Sequence, residues 1–455
     1  FLVAGREMNV FLGIASLAAT EFGIVTCMYT AQNGYEKGFA GAVPGMCQAV
    51  AMFVIGLTGF CIRPLRNAGA VTIPELFEKR FGPRIRWASG VVIVLGGLLN
   101  MGVFLRTGGE FLVQACGFDV KYLEMTMTVL LVGVAAYTIL GGMLSVLVTD
   151  FLQFVVMSVG LIAVTVMVLA HVGWERLVET VQTHHGAGGF NPFVNPHMGW
   201  PYVLFNILLN TAATLTWQAT IARVLSAKDS RTGQRIYTGT AFFFVCRFLI
   251  PGLWGIAALA MLAPEDVGGH TLHAMPKFLA TFLPAGVMGL LIAAMLAADM
   301  STESSYMLTW GSVIYNDILA PFRRRSVWSE RKGLLYNRMI IGLIGVFLLF
   351  YGLWYPLKGD LWTYLGVTGT IYLSSMSVLL ISCCYWKRAN NWGAAAAVLC
   401  GAAVPVGYLL LEQIPATAPW TQRIGPYYSG IGTYALVAVA MVAGSLLKPR
   451  SEGSK

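Results

Sequence analysis

Ala298-Asp299-Met300-Ser301-Thr302-Glu303-Ser304-Ser305 lies inside a long apolar run, residues 285–319. Two acids and four hydroxyls at membrane depth need partners that lipid cannot supply. Hydroxyl oxygens at successive helical positions, next to an alanine whose carbonyl an unwound turn could free, suit a small hard cation. The stretch therefore predicts half of a sodium site, and the rest of the chain must supply the other half.

The composition agrees. Of 455 residues, 57% are apolar and only 11% charged, with a mean hydropathy of +0.69. A soluble chain carries roughly a quarter charged residues. The fold class expected is all-α: a polytopic membrane protein forming a single transmembrane domain over residues 1–455. About 12 apolar stretches have room for a crossing of roughly 20 residues. They are 9–38 (broken), 41–61, 86–115, 121–140, 143–171, 200–224, 236–263, 285–320, 335–356, 361–386, 392–411 and 429–448.

The net charge of +9 follows from topology rather than from nucleic-acid binding. Most Lys and Arg fall in segments that alternate to one side. Arg63, Arg66, Lys79, Arg80, Arg84 and Arg86 make one such segment, and Arg223, Lys228, Arg231 and Arg235 another. The intervening segments hold only Lys37, Lys121, Arg176, Lys277, Lys358 and Arg423, while Arg106 and Arg247 fall within helices. Cytoplasmic loops carry the excess of basic residues, so both termini of the chain, the C-terminus included, are expected in the cytoplasm. The eight cysteines sit mostly in apolar stretches without metal-ligand spacing and read as helix-packing residues. The histidines fall in or beside external segments. The longest of these, residues 172–199, reads as a surface loop, with His184-His185 as a weak zinc candidate.

Two helices look interrupted. Ala18-Ala19-Thr20-Glu21-Phe22-Gly23 puts a glutamate and a glycine in mid-helix. Asn210-Thr211-Ala212-Ala213-Thr214-Leu215-Thr216 repeats the Ala-Ala-Thr five helices later. Polar interruptions at matching positions in two halves point to a transporter built from inverted repeats, with its site near the midplane.

At this point the chain resembles the sodium:solute symporter family, which includes sodium–glucose, proline and sialic-acid carriers. The resemblance rests on Phe1-Leu2-Val3-Ala4-Gly5-Arg6, on Thr72-Ile73-Pro74-Glu75-Leu76-Phe77-Glu78-Lys79-Arg80-Phe81, and on Gly141-Gly142-Met143 through Thr149-Asp150-Phe151-Leu152-Gln153. Arg223-Val224-Leu225-Ser226-Ala227-Lys228 and Tyr385-Trp386-Lys387-Arg388 with Gly393-Ala394 continue it in the family's order. One departure is that the family has a helix before the Ala-Gly-Arg element, and this chain begins after it.

The resemblance implies a LeuT-like fold, a 5+5 inverted repeat (about 9–171 and 200–386) plus C-terminal helices at about 392–448. It implies a first sodium site made by the carbonyls of Ala19, Phe22 and Ala298 and the hydroxyls of Ser301 and Thr302. The alternative is that Ser301 and Thr302 bond back to their own helix. The sialic-acid pattern adds a possible second sodium site at Asp150, Ser301, Ser304 and Ser305; Asp150 alone could instead ease sodium release at a helix end. For the solute, that pattern points to Thr26, Gln48 and Arg106, with the guanidinium suited to a carboxylate. Arg106 has a rival partner in Glu110, one turn away. Asn210, Thr214 and Tyr372 are further candidates, with helix-packing hydrogen bonds the alternative. The sugar-binding glutamine and lysine of glucose-type relatives are missing, at Gly366 and His273. Glu21, Asp299 and Glu303 replace smaller or apolar residues of the family pattern, and their roles stay open.

The expected function is a sodium-coupled symporter in a bacterial inner membrane, importing a small polar solute with one or two Na+. A carboxylate-bearing solute of the sialic-acid or monocarboxylate type is expected first. A sugar or a neutral or cationic amino-acid-like solute is the alternative, and a sensor or channel on the same fold is the rival from another class. No spacing suggests an enzyme, and no obligate protein partner is evident.

Overall fold

The computed structural model describes residues 7–323, 329–355 and 359–448. The opening Phe1–Arg6 element, Lys358 and residues 449–455 lie outside the described residues, and so do Arg324 and Arg325. Among the described residues regular structure is helical throughout, apart from one isolated bridge between Met8 and Ala227.

The first half runs through α1 (Val10–Thr20), α2 (Ile24–Lys37) and α3 (Val43–Thr58). Two short helices, α4 (Ile62–Asn67) and α5 (Ile73–Phe81), cross the basic segment before α6 (Pro83–Met101), α7 (Phe104–Cys116) and α8 (Leu123–Val172). The second half follows α9 (Trp174–His185) with α10 (Gly199–Thr216), α11 (Gln218–Ser226) and α12 (Ser230–Met261). Then come α13 (Pro264–Val267), α14 (Ala274–Phe282) and α15 (Ala285–Val313), and after a π-helical turn at Ile314–Ile318, α16 (Ala320–Arg323) and α17 (Glu330–Trp354). Finally α18 (Leu361–Tyr385), α19 (Asn391–Gln413) and α20 (Ala418–Leu447) complete the chain.

Among the described residues, ten helical stretches are long and apolar enough to cross a membrane. The difference from the twelve expected lies at the interruptions. The first break leaves α1 short and fuses α2 with α3 into one apolar run, and the α10–α11 pair falls below the hydropathy of a plain crossing. The apolar stretches at 121–140 and 143–171 are joined in the single helical run α8. That run cannot be straight. The Tyr137 hydroxyl lies beside the Gln153 side chain, and sixteen residues of straight helix would separate them by about 24 Å. The chain therefore turns back between these two residues, and two antiparallel crossings result.

Three expectations change. The interruption of the sixth helix falls at Trp217, in extended backbone (φ −62, ψ 113), not within Asn210–Thr216. The third crossing is divided at Gly102–Val103. The external segment 172–199 opens with the amphipathic helix α9, which buries Leu177 and Val181, and only its second half is turns and loop. Its histidines do not converge: His184 Nδ1 meets the Thr180 carbonyl and His185 Nε2 the Tyr35 carbonyl. No metal-binding group of His, Cys, Asp or Glu occurs among the described residues.

The first break is local chemistry. Glu21 ends α1 at φ −89, ψ 0, and α2 starts only after the extended Gly23. Residues 21–23 thus leave the α-helical ladder, as a buried glutamate and a glycine allow. The two helices after the break are held against α12 by small residues. Gly34 and Ala31 of α2 meet Gly252 and Gly255 of α12 backbone to backbone, which is how membrane helices approach most closely.

Candidate functional site

The break meets α15. A β-carbon at Gly23 would lie 2.9 Å from Thr302 Oγ1, so the unwound turn rests directly on that residue. Thr20 Oγ1 is 3.2 Å from Ser305 Oγ one helical turn further along. The structure thus brings Ala19 and Phe22 to the same place as Ala298, Ser301 and Thr302, all of them buried. The Thr302 hydroxyl donates to the Ala298 carbonyl at 3.1 Å, the back-bond weighed as the alternative. The Ser301 hydroxyl instead donates to Asp150 Oδ1 at 2.5 Å. A hydroxyl that gives its proton to a carboxylate keeps its lone pairs for a cation.

The second expected set is built differently. Arg223 of α11 is fully buried and reaches into it. Its Nη2 lies 3.2 Å from Asp150 Oδ2, 2.7 Å from Ser305 Oγ and 2.5 Å from Thr20 Oγ1. Its Nε donates to Ser16 Oγ, and Ser16 in turn donates to Asp150 at 2.7 Å. Ser304 does not turn to Asp150; its hydroxyl donates to the Ser301 carbonyl. The guanidinium is the cation of this cluster, and Asp150 and Ser305 serve it. Sequence reasoning placed Arg223 in a cytoplasmic segment, because the break at Trp217 that aims α11 inward was not visible.

A cavity of about 80 Å³, room for roughly five waters, opens beside the first break. Of the solute candidates, Thr26, Gln48 and Asn210 line it. Arg106, Thr214 and Tyr372 do not. Arg106 pairs with Glu110 at 2.9 Å in a separate outer cavity with His273 and Asp360. Thr214 bonds back to the Asn210 carbonyl, and the Tyr372 ring packs on Trp217 and Trp310.

The cation of the central cavity is Arg247 of α12, which the sequence placed within a helix without a role. Its Nη1 is 3.3 Å from Glu21 Oε2 in the break. Its Nη2 donates to Tyr29 Oη at 2.8 Å, while Nε has no partner. Glu21 accepts a second bond from Thr220 at 2.8 Å. Trp217, Tyr306, Phe104 and Trp362 supply aromatic walls. An enclosed aromatic pocket with a few converging polar groups is the usual form of a small-solute site.

Helices crossing a membrane, two of them broken around a buried polar cavity, define a secondary transporter. Residues 1–401 match the family model described as Sodium:solute symporter family. The chain belongs to that family and is a transporter, not an enzyme. Sodium/glucose cotransporter 4 of Danio rerio is 28% identical over 458 residues, covering 92% of this chain and 68% of that protein. Osmoregulated proline transporter OpuE of Bacillus subtilis is 29% identical, covering 73% of this chain and 67% of that protein. A solved Na+-coupled sialic acid symporter in a substrate-bound outward-open state shares the fold with a TM-score of 0.79 at 18% identity, over 99% of this chain and 93% of that one. The crystal structure of MhsT with L-phenylalanine aligns at a TM-score of 0.56, 14% identity, over 97% of this chain and 98% of that one.

Proposed function

We propose that this chain imports a small carboxylate-bearing solute together with one sodium ion, by alternating access across a bacterial inner membrane, with its C-terminus in the cytoplasm. One observation carries the reading: a buried guanidinium, Arg247, faces the central cavity with its Nε unpartnered, beside the break that rests on Thr302. A guanidinium fork is the side chain best matched to a carboxylate. The sodium ion takes the carbonyls of Ala19, Phe22 and Ala298 and the hydroxyls of Ser301 and Thr302. Its movement inward down 100 mV supplies about 2.3 kcal/mol. With Arg223 standing on Asp150, a second sodium ion is not part of the proposal. The inverted repeats, about 9–171 and 200–386, place the two breaks at equivalent positions.

The test is uptake into proteoliposomes of labelled proline, a sialic acid and a monocarboxylate, with and without an inward sodium gradient. Sodium-driven accumulation of at least one is expected; accumulation of none overturns the reading. Ser301→Ala and Thr302→Ala should each raise the half-saturating sodium concentration about ten-fold or more, since each removes an oxygen from a charged ligand. Arg247→Lys keeps the charge but loses the fork. It should raise the half-saturating solute concentration at least about ten-fold and leave sodium binding, read by a sodium-dependent thermal shift, unchanged.

Glu21 favours one second reading. It pairs with Arg247 at the same cavity, so a zwitterionic amino-acid-like solute would meet both charges. Glu21→Gln should then abolish competition by amino acids and spare that by simple carboxylates.

A further inference from the structure

Two thiols remote from the central cavity face each other. Cys61 follows α3, and Cys384 lies at the end of α18. Their side chains are within hydrogen-bonding range of each other, and Cys383 lies beside them. Further contacts hold the two segments together. The Cys61 N–H donates to Tyr385 Oη at 2.9 Å. The rings of Phe60 and Tyr385 stack with centroids 5.0 Å apart and planes within 7° of parallel. Nearby, Arg80 donates to the Trp386 and Lys387 carbonyls. The basic segment after α3 and the one after α18 therefore meet on one face, the face expected in the cytoplasm.

Cys61 is held where its backbone is strained. Among the described residues it is the one non-glycine with a positive φ, at φ 59, ψ −30. A glycine takes such a conformation readily, and a residue with a β-carbon does not. Strain of this kind persists where the surroundings impose it, and it gathers at functional positions. What a cysteine adds there over a glycine is the thiol. The pair is also asymmetric: Cys61 is 1% exposed, while Cys384 is partly exposed. An accessible thiol beside a buried one is the arrangement of a redox sensor, in which the first takes the oxidant and the second resolves it. All eight cysteines are free thiols, so the pair stands in its reduced form.

We propose that Cys61 and Cys384 form a reversible disulfide on exposure to a hydroperoxide, and that this bridge latches the transporter shut toward the face carrying Arg63 and Lys387. Hydrogen peroxide transfers one oxygen to the Cys384 thiol, which becomes a sulfenic acid, and the peroxide leaves as water. The Cys61 sulfur then attacks the Cys384 sulfur. The S–S bond forms as the S–O bond breaks, and the oxygen leaves as a second water with the Cys61 proton. A dithiol reductant reverses the bridge by taking the disulfide itself. Cytosolic disulfides are typically of this transient, redox-sensing kind.

The latch follows from what the two helices line. Gln48 of α3 and Leu365, Gly369 and Leu373 of α18 wall the central cavity. About 16 Å of helix separates Leu373 from Cys384, so the thiols lie outside the solute site. On the alternating-access reading, on which this consequence rests, a path from the cavity to that face opens by parting the elements around it. A disulfide holds its two Cα atoms within about 7 Å, and the ends it joins cannot part.

The test is treatment of the purified full-length protein with hydrogen peroxide, with no solute present. Digestion without reductant, followed by mass spectrometry, should show a peptide pair joined through Cys61 and Cys384 that dithiothreitol separates. Cys383→Ser should leave this cross-link in place. In Cys61→Ser the unresolved sulfenic acid should accumulate on Cys384 and be trapped by dimedone. If that variant does not fold, Cys384→Ala should leave Cys61 unoxidised. A cross-link through Cys383, or none, overturns the site. For the latch, amide hydrogen exchange at the joined ends of α3 and α18 should slow at least about five-fold in the cross-linked protein, because local opening is what exposes those amides. Unchanged exchange in fully cross-linked protein overturns the latch. Neither readout involves a solute, so failure here is distinct from failure of the uptake test.

Discussion

Arg223→Ala is expected to lower the unfolding free energy by about 3–5 kcal/mol, the usual cost of removing one partner of a buried ion pair. The reason is what remains. Asp150 is fully buried, and only the hydroxyls of Ser16, Thr20 and Ser301 would be left to satisfy its carboxylate. Thr20 and Ser305 would lose their donor at the same time. The measurement is chemical unfolding in detergent. Asp150→Asn combined with Arg223→Ala should recover part of the loss, because the stranded charge is then gone. Equal losses in the single and double variants would mean that Arg223 acts by packing and not by neutralising Asp150.

Gly255→Ala is the second large effect. A β-carbon there would fall onto the Ala31 carbonyl oxygen, and one at Gly34 onto the Gly252 carbonyl. Side chains can rotate away from an intruding methyl group, but backbone inside two packed helices cannot. Overpacking generally costs about 1–3 kcal/mol, and this rigid contact places both substitutions at the upper end. Because α2 begins at the break proposed to hold sodium, the sodium-dependent thermal shift should shrink as well. Gly133→Ala and Gly289→Ala meet nothing within 4 Å and should be nearly neutral. If all four variants behave alike, helix propensity and not interhelical contact controls the outcome.

Much of this could be read from local sequence. The apolar stretches correspond to the helices because a crossing needs a run of fixed length, and the Glu21–Gly23 interruption falls where a buried acid and a glycine predict it. The oxygen-rich turn of α15 meets that interruption. The reading failed where a helix bends or where charges pair at long range. Trp217 is an ordinary residue whose extended backbone redirects α11, so Arg223 arrives at Asp150 and not in a cytoplasmic loop. Arg106 satisfied itself one turn away, as the i, i+4 spacing had suggested. The signal for Arg247 was available but unused: a lone arginine within an apolar helix requires an acid partner, and Glu21 was a buried acid without one.

The sequence by itself determined the membrane class, the run of helices, the first broken helix and the oxygen set around Ser301. All of these follow from hydropathy, length and neighbouring residues within a few turns. Only the tertiary structure decided which guanidinium faces the cavity, which one stands on Asp150, and that both oxygens of Glu303 and Oδ2 of Asp299 are left without a hydrogen-bond partner. These depend on pairs 226 and 73 residues apart. In a low-dielectric interior a charge takes whichever partner helix packing brings within about 3 Å, and helix packing is set by the whole fold.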